Sequence, residues 1–343
     1  MRIGLVSPYD LERPGGVQRQ VLDLAGLLRD RGEESVVIGP GASTVGGISV
    51  GRVVAVRANR SVVPLAMGFG AFRQLRRAAA GLDVLHVHEP LIPMVGPAAL
   101  RAGRPVVATF HALPPGWAAR SYRAIPRAWF RGAVLTAVSE QAASAPSRLG
   151  EVEIIPNGID LTGFAGDGPR RPHRVVFVGR DEPRKGLRLL LEAWPAVREA
   201  HPEADLIVIG TAGSSREGLQ FVGRVSEDQK RAFLSTAAIL AAPNLGSESF
   251  GVVLVEGMAA GCAVVASDIP GFREVASGAA ELIRPGRADL LAATISGLLG
   301  DPTKVGVLRT AGWQRAAMFD WSRVLPRYLA CYQRAAGGKT VLS

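Results

Sequence analysis

Cysteine is almost missing from this 343-residue sequence. Cys262 and Cys331 are the only two, which excludes a disulfide framework and suits a reducing compartment. No apolar run approaches the ~18 residues of a membrane-spanning helix. The opening MRIGLVSPYD lacks the long apolar stretch and small-residue cleavage site of a secretory leader, so the expected location is cytoplasmic. Lysine is scarce as well: of 40 basic residues four are Lys (Lys185, Lys230, Lys304 and Lys339), against 30 acidic residues, for a net charge of +10. Such a balance reflects either coding bias toward Arg or a surface for phosphates, acidic lipid or nucleic acid. No RRM, KH or zinc-finger signature occurs, and no basic run is interleaved with aromatics, so nucleic acid is set aside as a partner. The GxGxxG dinucleotide fingerprint, HExxH, metal-ligand Cys/His spacing and Asp-x-Asp are all missing. Gly337-Gly338-Lys339-Thr340 imitates the end of a phosphate-binding loop, but Gln333 stands where its first Gly belongs.

What is present is an ordinary core-forming chain, 48% hydrophobic and 20% charged. Short apolar runs bounded by Gly or Pro alternate with helical patterns. Strands are predicted at 3–6, 36–38, 53–56, 84–87, 106–110 and 134–138. The helices between them are predicted near 17–31, 69–80, 94–103, 117–132 and 139–149. The Gly-, Pro- and Arg-rich stretch 162–173 is the best linker candidate. The pattern then restarts, with strands at 175–178, 206–209, 219–222, 239–242, 263–266 and 282–283. This alternation predicts an α/β chain of two doubly wound, Rossmann-like domains, 1–165 and 170–320, plus an amphipathic helix at 321–336. Ligands of such sheets lie beyond the carboxyl ends of the strands, so a cleft faced by both domains is the default site.

Four constellations carry chemistry. Pro14-Gly15-Gly16-Val17 joins the first strand to the first helix, where glycine admits a close backbone approach and the helix start favours an anion. Gly179-Arg180-Asp181-Glu182-Pro183-Arg184-Lys185-Gly186 places three cations in six residues after a strand. Arg180 can fork onto a phosphate and Lys185 can act as a point charge on the next; the bland reading is a solvated loop of internal ion pairs. Glu248-Ser249-Phe250-Gly251 precedes the helix that carries Glu256, so unpaired N–H groups and two carboxylates can serve phosphate oxygens and sugar hydroxyls. The plainer role of Glu248 is to complement a helix dipole. His111 ends a strand and suits a polar contact to substrate better than a metal, since His86 and His88 lack ligand spacing. His173 and His201 read as exposed loop residues.

Together these residues, with Pro156-Asn157-Gly158-Ile159-Asp160, resemble the retaining glycosyltransferases of the GT-B fold, family 4, whose E-x7-E motif stands here as ESFGVVLVE. Within that family MRIGLVSPYD, PGGVQ, DVLHVHEP, ATFH and DEPRKG resemble the actinobacterial phosphatidylinositol mannosyltransferases. The resemblance implies a hexosyl transfer, mannose from GDP-mannose to a phosphatidylinositol-type lipid. It implies Arg180 and Lys185 on the donor diphosphate with the backbone of Gly16 nearby, and Ser249, Phe250, Gly251 and Val252 along the sugar and phosphate. Glu248 would take a sugar hydroxyl, Glu256 the ribose, and Val225 of Gly223-Arg224-Val225 the base. His111 would act with Glu248 at the reacting sugar, and Tyr9, Arg73, Arg76 and Arg77 would lie toward acceptor and membrane. No cofactor or metal is expected, with magnesium non-essential. Expected partners are the nucleotide-sugar, an acceptor lipid or small polyol, and the inner face of the cell membrane as a peripheral surface. Val63-Pro64-Leu65-Ala66, Leu91 and Ala112–Gly116 depart from the family on the acceptor side. A UDP-sugar or a small soluble acceptor therefore stays open, and a nucleotide-sugar epimerase of the same fold is a further alternative.

Overall fold

The computed structural model describes residues 1–13, 15–58, 61–67, 70–112, 124–164, 169–246 and 248–337, with the backbone alone for 52–58 and 61–67. Two compact units emerge, one made of Met1–Gly158 and Ser322–Ser343 and the other of Ile159–Trp321.

The first unit contains β1 (Arg2–Val6), α1 (Gly16–Asp30), β2 (Glu34–Gly39), β3 (Ile48–Ser49), β4 (Arg52–Ala58), β5 (Ser61–Met67), α2 (Ala71–Ala78), β6 (Val84–His88), α3 (Val95–Leu100), β7 (Val106–Phe110), β8 (Val134–Ala137), α4 (Glu140–Ala143) and β9 (Val152–Ile154). Seven strands form a parallel sheet in the order β3-β2-β1-β6-β7-β8-β9. Their continuous apolar runs are those of strands covered on both faces; all five residues of β6 and of β7 are buried. The face of α1 that meets the sheet is Val21, Leu24, Ala25 and Leu28, at the helical spacing legible in the sequence.

The second unit runs β10 (Arg171–Val178), α5 (Leu187–Ala200), β11 (Asp205–Ile209), β12 (Leu219–Gly223), α6 (Glu227–Thr236), β13 (Ala237–Ala242), α7 (Val252–Ala259), β14 (Ala263–Ser267), α8 (Pro270–Ala276), β15 (Glu281–Ile283), α9 (Ala288–Leu299) and α10 (Pro302–Ala316). Its six-stranded sheet has the order β12-β11-β10-β13-β14-β15, again parallel. Leu187, Leu190, Trp194 and Val197 of α5 pack with Val175, Phe177, Leu206 and Val208 in one apolar cluster. In both sheets the strand order reverses beside the first strand, at β1/β6 and β10/β13, the switch points where doubly wound folds open a crevice. The last helix, α11 (Trp321–Ala335), returns to the first unit, burying Val324, Leu325, Tyr328 and Tyr332. Arg327 and Arg334 of α11 bind Glu153 of β9.

Several expectations change. The strand expected at 53–56 is not part of the parallel sheet: β4 pairs antiparallel with β5, from Arg52↔Met67 to Ala58↔Ser61. Two intervening residues suffice for an antiparallel partner, whereas a parallel one needs a crossover of about a dozen. The helix expected over 139–149 stops at Ala143, and a 3-10 turn follows at Pro146–Arg148, because proline cannot continue an α-helical ladder. Residues 117–123 of the expected helix 117–132 lie outside the described residues, and within the rest Arg127–Phe130 is a 3-10 turn. Residues 171–173, expected in a linker, open β10; Pro172 is tolerated there because the β10/β13 register shifts between Arg171 and Val175.

Candidate functional site

In the second unit, the loops that follow β10 and β13 interlock. After β10 the chain makes a 3-10 turn, Pro183–Lys185, and Gly186 takes φ +73 to start α5. A Cβ on Gly186 would lie 1.9 Å from the carbonyl oxygen of Pro243, so only glycine lets the two loops approach this closely. The backbone N–H of Leu245 then donates to the carbonyl of Arg184 at 2.8 Å. This junction brings Glu248 onto the cations predicted from the sequence. Its Oε1 accepts from Arg184 Nη1 at 2.5 Å, from Asn244 Nδ2 at 3.0 Å and from Lys185 Nζ. Arg184 also reaches Glu182 at 2.8 Å, and Arg180 pairs with the same carboxylate at 2.9 Å. Arg180 is 56% exposed, while Arg184 and Lys185 are 17% and 19% exposed. The outer cation is therefore available to a ligand, and the inner two are fixed by Glu248.

Glu248 leads through Ser249 and Phe250 to Gly251, which precedes α7 at φ +95 with no side-chain cap. A Cβ on Gly251 would meet the Phe272 ring at 2.6 Å. Phe250 is held edge-on to Phe319, with ring centroids 5.4 Å apart. The first N–H groups of α7, from Val252 on, thus start beside the Glu248 cluster, where a helix start favours negative charge. Glu256, about one turn into α7, accepts from Lys230 Nζ at 2.7 Å. Burial alone would lower the Lys230 pKa, but Glu256 and Glu227 beside it raise it, so the lysine stays charged. Lys230 lies in the first turn of α6, which begins directly after Val225 and Ser226 with a capping box. Glu256 and the Gly223-Arg224-Val225 loop are thereby neighbours.

The first unit presents a different chemistry at the same topological place. His88 ends β6 and His111 follows β7; His88 Nδ1 and His111 Nε2 are 2.8 Å apart. His86 is bonded by Tyr332 of α11 at 2.8 Å and by Thr109 at 2.6 Å. All three imidazoles are buried, and burial pushes their pKa values down, to about 3 for His86, well below 6.5 for His88 and to about 4 for His111. They are neutral at pH 7. His88 Nε2 has no hydrogen-bond partner among the described residues. Glu89 holds φ +50, uncommon for a side-chain-bearing residue, while its Oε1 accepts the backbone N–H of His111 at 2.7 Å. Burial raises its pKa to about 7, with the backbone N–H groups of His111 and Ala112 opposing. Asn157 lies beside His111 in a turn pinned by Gln20, whose amide both donates to and accepts from Gly158. Gly16 opens α1, and a Cβ there would meet nothing within 4 Å. Tyr9 lies in the loop after β1. Arg73, Arg76 and Arg77 are exposed on α2 with Phe72, over a face anchored by Ala71 and Leu75.

Arg184, Lys230, Glu89 and Asn244 were not singled out from the sequence. Three cations in six residues announce Arg184 without saying which one turns inward; Lys230 and Glu256 meet only through the packing of two helices. His173 and His201, read as exposed loop residues, are half-buried: His173 lies within β10 and His201 ends α5. Among the described residues no helix is long and apolar enough to cross a membrane.

Residues 14–162 match the family described as Glycosyltransferase Family 4, and residues 172–301 match Glycosyl transferases group 1. The chain is 38% identical to the phosphatidyl-myo-inositol mannosyltransferase of Mycolicibacterium smegmatis, over 98% of this chain and 95% of that one. It is 32% identical to the GDP-mannose:cellobiosyl-diphosphopolyprenol alpha-mannosyltransferase of Xanthomonas campestris, over 56% of this chain and 54% of that one. The crystal structure of HepE from Anabaena in complex with UDP superposes with a TM-score of 0.75 at 19% identity, covering 96% of this chain and 99% of that one.

Proposed function

Because the chain belongs to the phosphatidyl-myo-inositol mannosyltransferases of glycosyltransferase family 4, we propose that it moves mannose from GDP-mannose to a hydroxyl of a phosphatidylinositol-type lipid. Transfer proceeds with retention at the anomeric carbon and without a metal on the diphosphate. The observation that carries this reading is the Glu248 cluster, with Arg180, Arg184 and Lys185 gathered at the ends of β10 and β13 beside the start of α7. Departure of a nucleoside diphosphate develops negative charge, and fixed cations with helix-start donors are what stabilise it. In this reading Arg180 and Lys185 face the diphosphate and Arg184 holds Glu248 in place. Glu248, relieved of one cation by the incoming phosphate, accepts a sugar hydroxyl. Glu256 takes the ribose diol, and Val225 lies along the base. Ser249, Phe250, Gly251 and Val252 supply backbone donors, as does Gly16.

His111 is the polar group for the sugar, neutral and therefore suited to a hydroxyl and not to a phosphate. Retention follows from front-face attack, in which the departing phosphate takes the acceptor proton. The GDP-mannose named for the Xanthomonas relative supports the donor, and the inositol lipid named for the mycobacterial relative supports the acceptor. The exposed Arg73, Arg76 and Arg77 hold the enzyme at the anionic inner face of the membrane, with Tyr9 toward the acceptor.

The test is incubation of the purified chain with labelled GDP-mannose and phosphatidylinositol vesicles, with UDP-glucose and free myo-inositol as controls. An α-mannosylated lipid formed from GDP-mannose in the presence of chelator is expected. Transfer from UDP-glucose alone, or to free inositol alone, would replace this reading with a different donor or a soluble acceptor.

A further inference from the structure

At the other end of the second sheet, three side chains converge that the transfer chemistry does not use. His173 stands near the start of β10, His201 ends α5, and Glu203 lies in the turn that leads to β11. One ligating atom from each lies within 4.8 Å of the other two. His173 Nδ1 is 3.1 Å and His201 Nδ1 is 3.8 Å from the same oxygen, Glu203 Oε1. Around a tetrahedral zinc with bonds of ~2.0–2.2 Å, neighbouring ligand atoms are about 3.3 Å apart, a length that the two His–Glu separations bracket.

Two further observations point to a cation and not to a simple ion pair. His201 Nε2 is 2.9 Å from the carbonyl oxygen of Ser296, which can only accept. That contact places the proton on Nε2, leaves a lone pair on Nδ1 and fixes the ring plane, as a carbonyl behind a metal-ligating histidine does. His173 Nδ1 is buried at the atom and makes no aligned hydrogen bond, although a carboxylate oxygen lies 3.1 Å away. The ring nitrogen and the carboxylate oxygen thus lie side by side without the alignment of a hydrogen bond. The two rings stack with centroids 6.2 Å apart, 29° from parallel. His173 lies in β10 directly before the Arg174↔Asp205 pair, where the β10/β13 register shifts, and His201 follows the last residue of a 14-residue helix, so the two imidazoles come from adjoining ends of a strand and a helix. Glu203 is 52% exposed, against 33% and 18% for the histidines, which leaves the carboxylate room to adjust and an open side for water.

We propose that His173, His201 and Glu203 form a binding site for a divalent transition-metal cation, zinc by ligand type, with water completing the tetrahedron. Two imidazoles and one carboxylate are a zinc-type donor set; magnesium and calcium, which favour all-oxygen shells, are excluded. The bound ion clips the start of β10 to the turn after α5. It lies at the opposite end of β10 from Arg180, ~16 Å of strand from His173 to Val178, and so stabilises the second unit without entering the reaction.

The experiment uses the full chain without a polyhistidine tag, stripped with chelator and titrated with zinc chloride by calorimetry. Cobalt(II) is titrated in parallel and followed by its visible absorption. One zinc per chain is expected, with a tetrahedral cobalt spectrum, a rise in unfolding temperature with zinc and no response to magnesium. His173→Ala and His201→Ala should each weaken zinc binding at least tenfold and abolish the thermal shift. Glu203→Gln, at a half-exposed position that leaves the fold intact, should weaken it less and alter the cobalt spectrum. Absence of saturable binding by the wild type would overturn the proposal. So would one-to-one binding that Glu203→Gln and a folded histidine variant retain unchanged.

Discussion

The two units share a strand order and a switch point, yet they furnish those switch points with opposite electrostatics. Beyond β10 and β13, three cations (Arg180, Arg184 and Lys185) and Asn244 gather around Glu248 and Glu182, partly open to solvent. Beyond β6 and β7, three histidines and Glu89 are buried, and burial favours the uncharged form of every one of them. The scaffold supplies the position and the side chains decide the chemistry. An ionised cluster suits a diphosphate, whose charge it can exchange for its internal pairs. A neutral, dry cluster suits hydroxyl groups, where a charge would be costly to desolvate.

The sharpest way to break this comparison is to remove the hub of the charged side. Glu248→Gln leaves Lys185 without its carboxylate and Arg184 with Glu182 alone, and it removes the sugar contact; turnover should fall on the order of 10² or more while the fold survives. Near wild-type turnover would reduce Glu248 to a partner of the local cations.

Acid should then separate the two units by stability. The histidine pKa values are depressed in the folded state, so their contribution is complete above 6.5 and is lost as pH falls toward about 4 for His111 and about 3 for His86. Glu89 has the opposite sign: its folded value near 7 lies above its ordinary 4.5, so its contribution holds below 4.5 and is lost as pH rises through 7. Three groups against one mean a net loss of stability from pH 6.5 downward. Thermal unfolding followed at pH 4 to 8 checks it, and Glu89→Gln should erase the opposing decline toward pH 7. An unfolding temperature that rises as pH drops from 6.5 would contradict the neutral cluster.

The smallest effect belongs to α2. Replacing Arg73, Arg76 and Arg77 by Ser should weaken co-sedimentation with acidic vesicles by ~1 kcal/mol per charge near the surface, and the difference should vanish at high salt. Equal sedimentation at low salt would remove α2 as the membrane contact.

The same contrast explains what the sequence disclosed. Strand–helix alternation is local, and so are the Arg180–Lys185 and Glu248–Glu256 motifs; these were legible. The partnership of Lys230 with Glu256 spans two helices, and that of His86 with Tyr332 joins β6 to the last helix of the chain. No spacing rule reaches such pairs. Arg184 was visible as one of three cations, but its inward turn depends on the left-handed Gly186 and the carbonyl of Pro243. The left-handed backbone of Glu89 and its bond to His111 across the strand ends are again tertiary facts. The β4–β5 pairing was missed because apolar, β-branched runs specify a strand without specifying the direction of its partner.

The central claim is that the cations around Glu248 recognise a diphosphate. Calorimetric titration of GDP and of GMP into the wild type and into Lys185→Ala tests it most directly. A charge-assisted contact contributes about 1.5–3 kcal/mol, so the wild type should prefer GDP by roughly 10- to 100-fold, and Lys185→Ala should lose most of that preference while binding GMP as before. Equal affinity of the wild type for GDP and GMP, or a preference that Lys185→Ala retains in full, would contradict it.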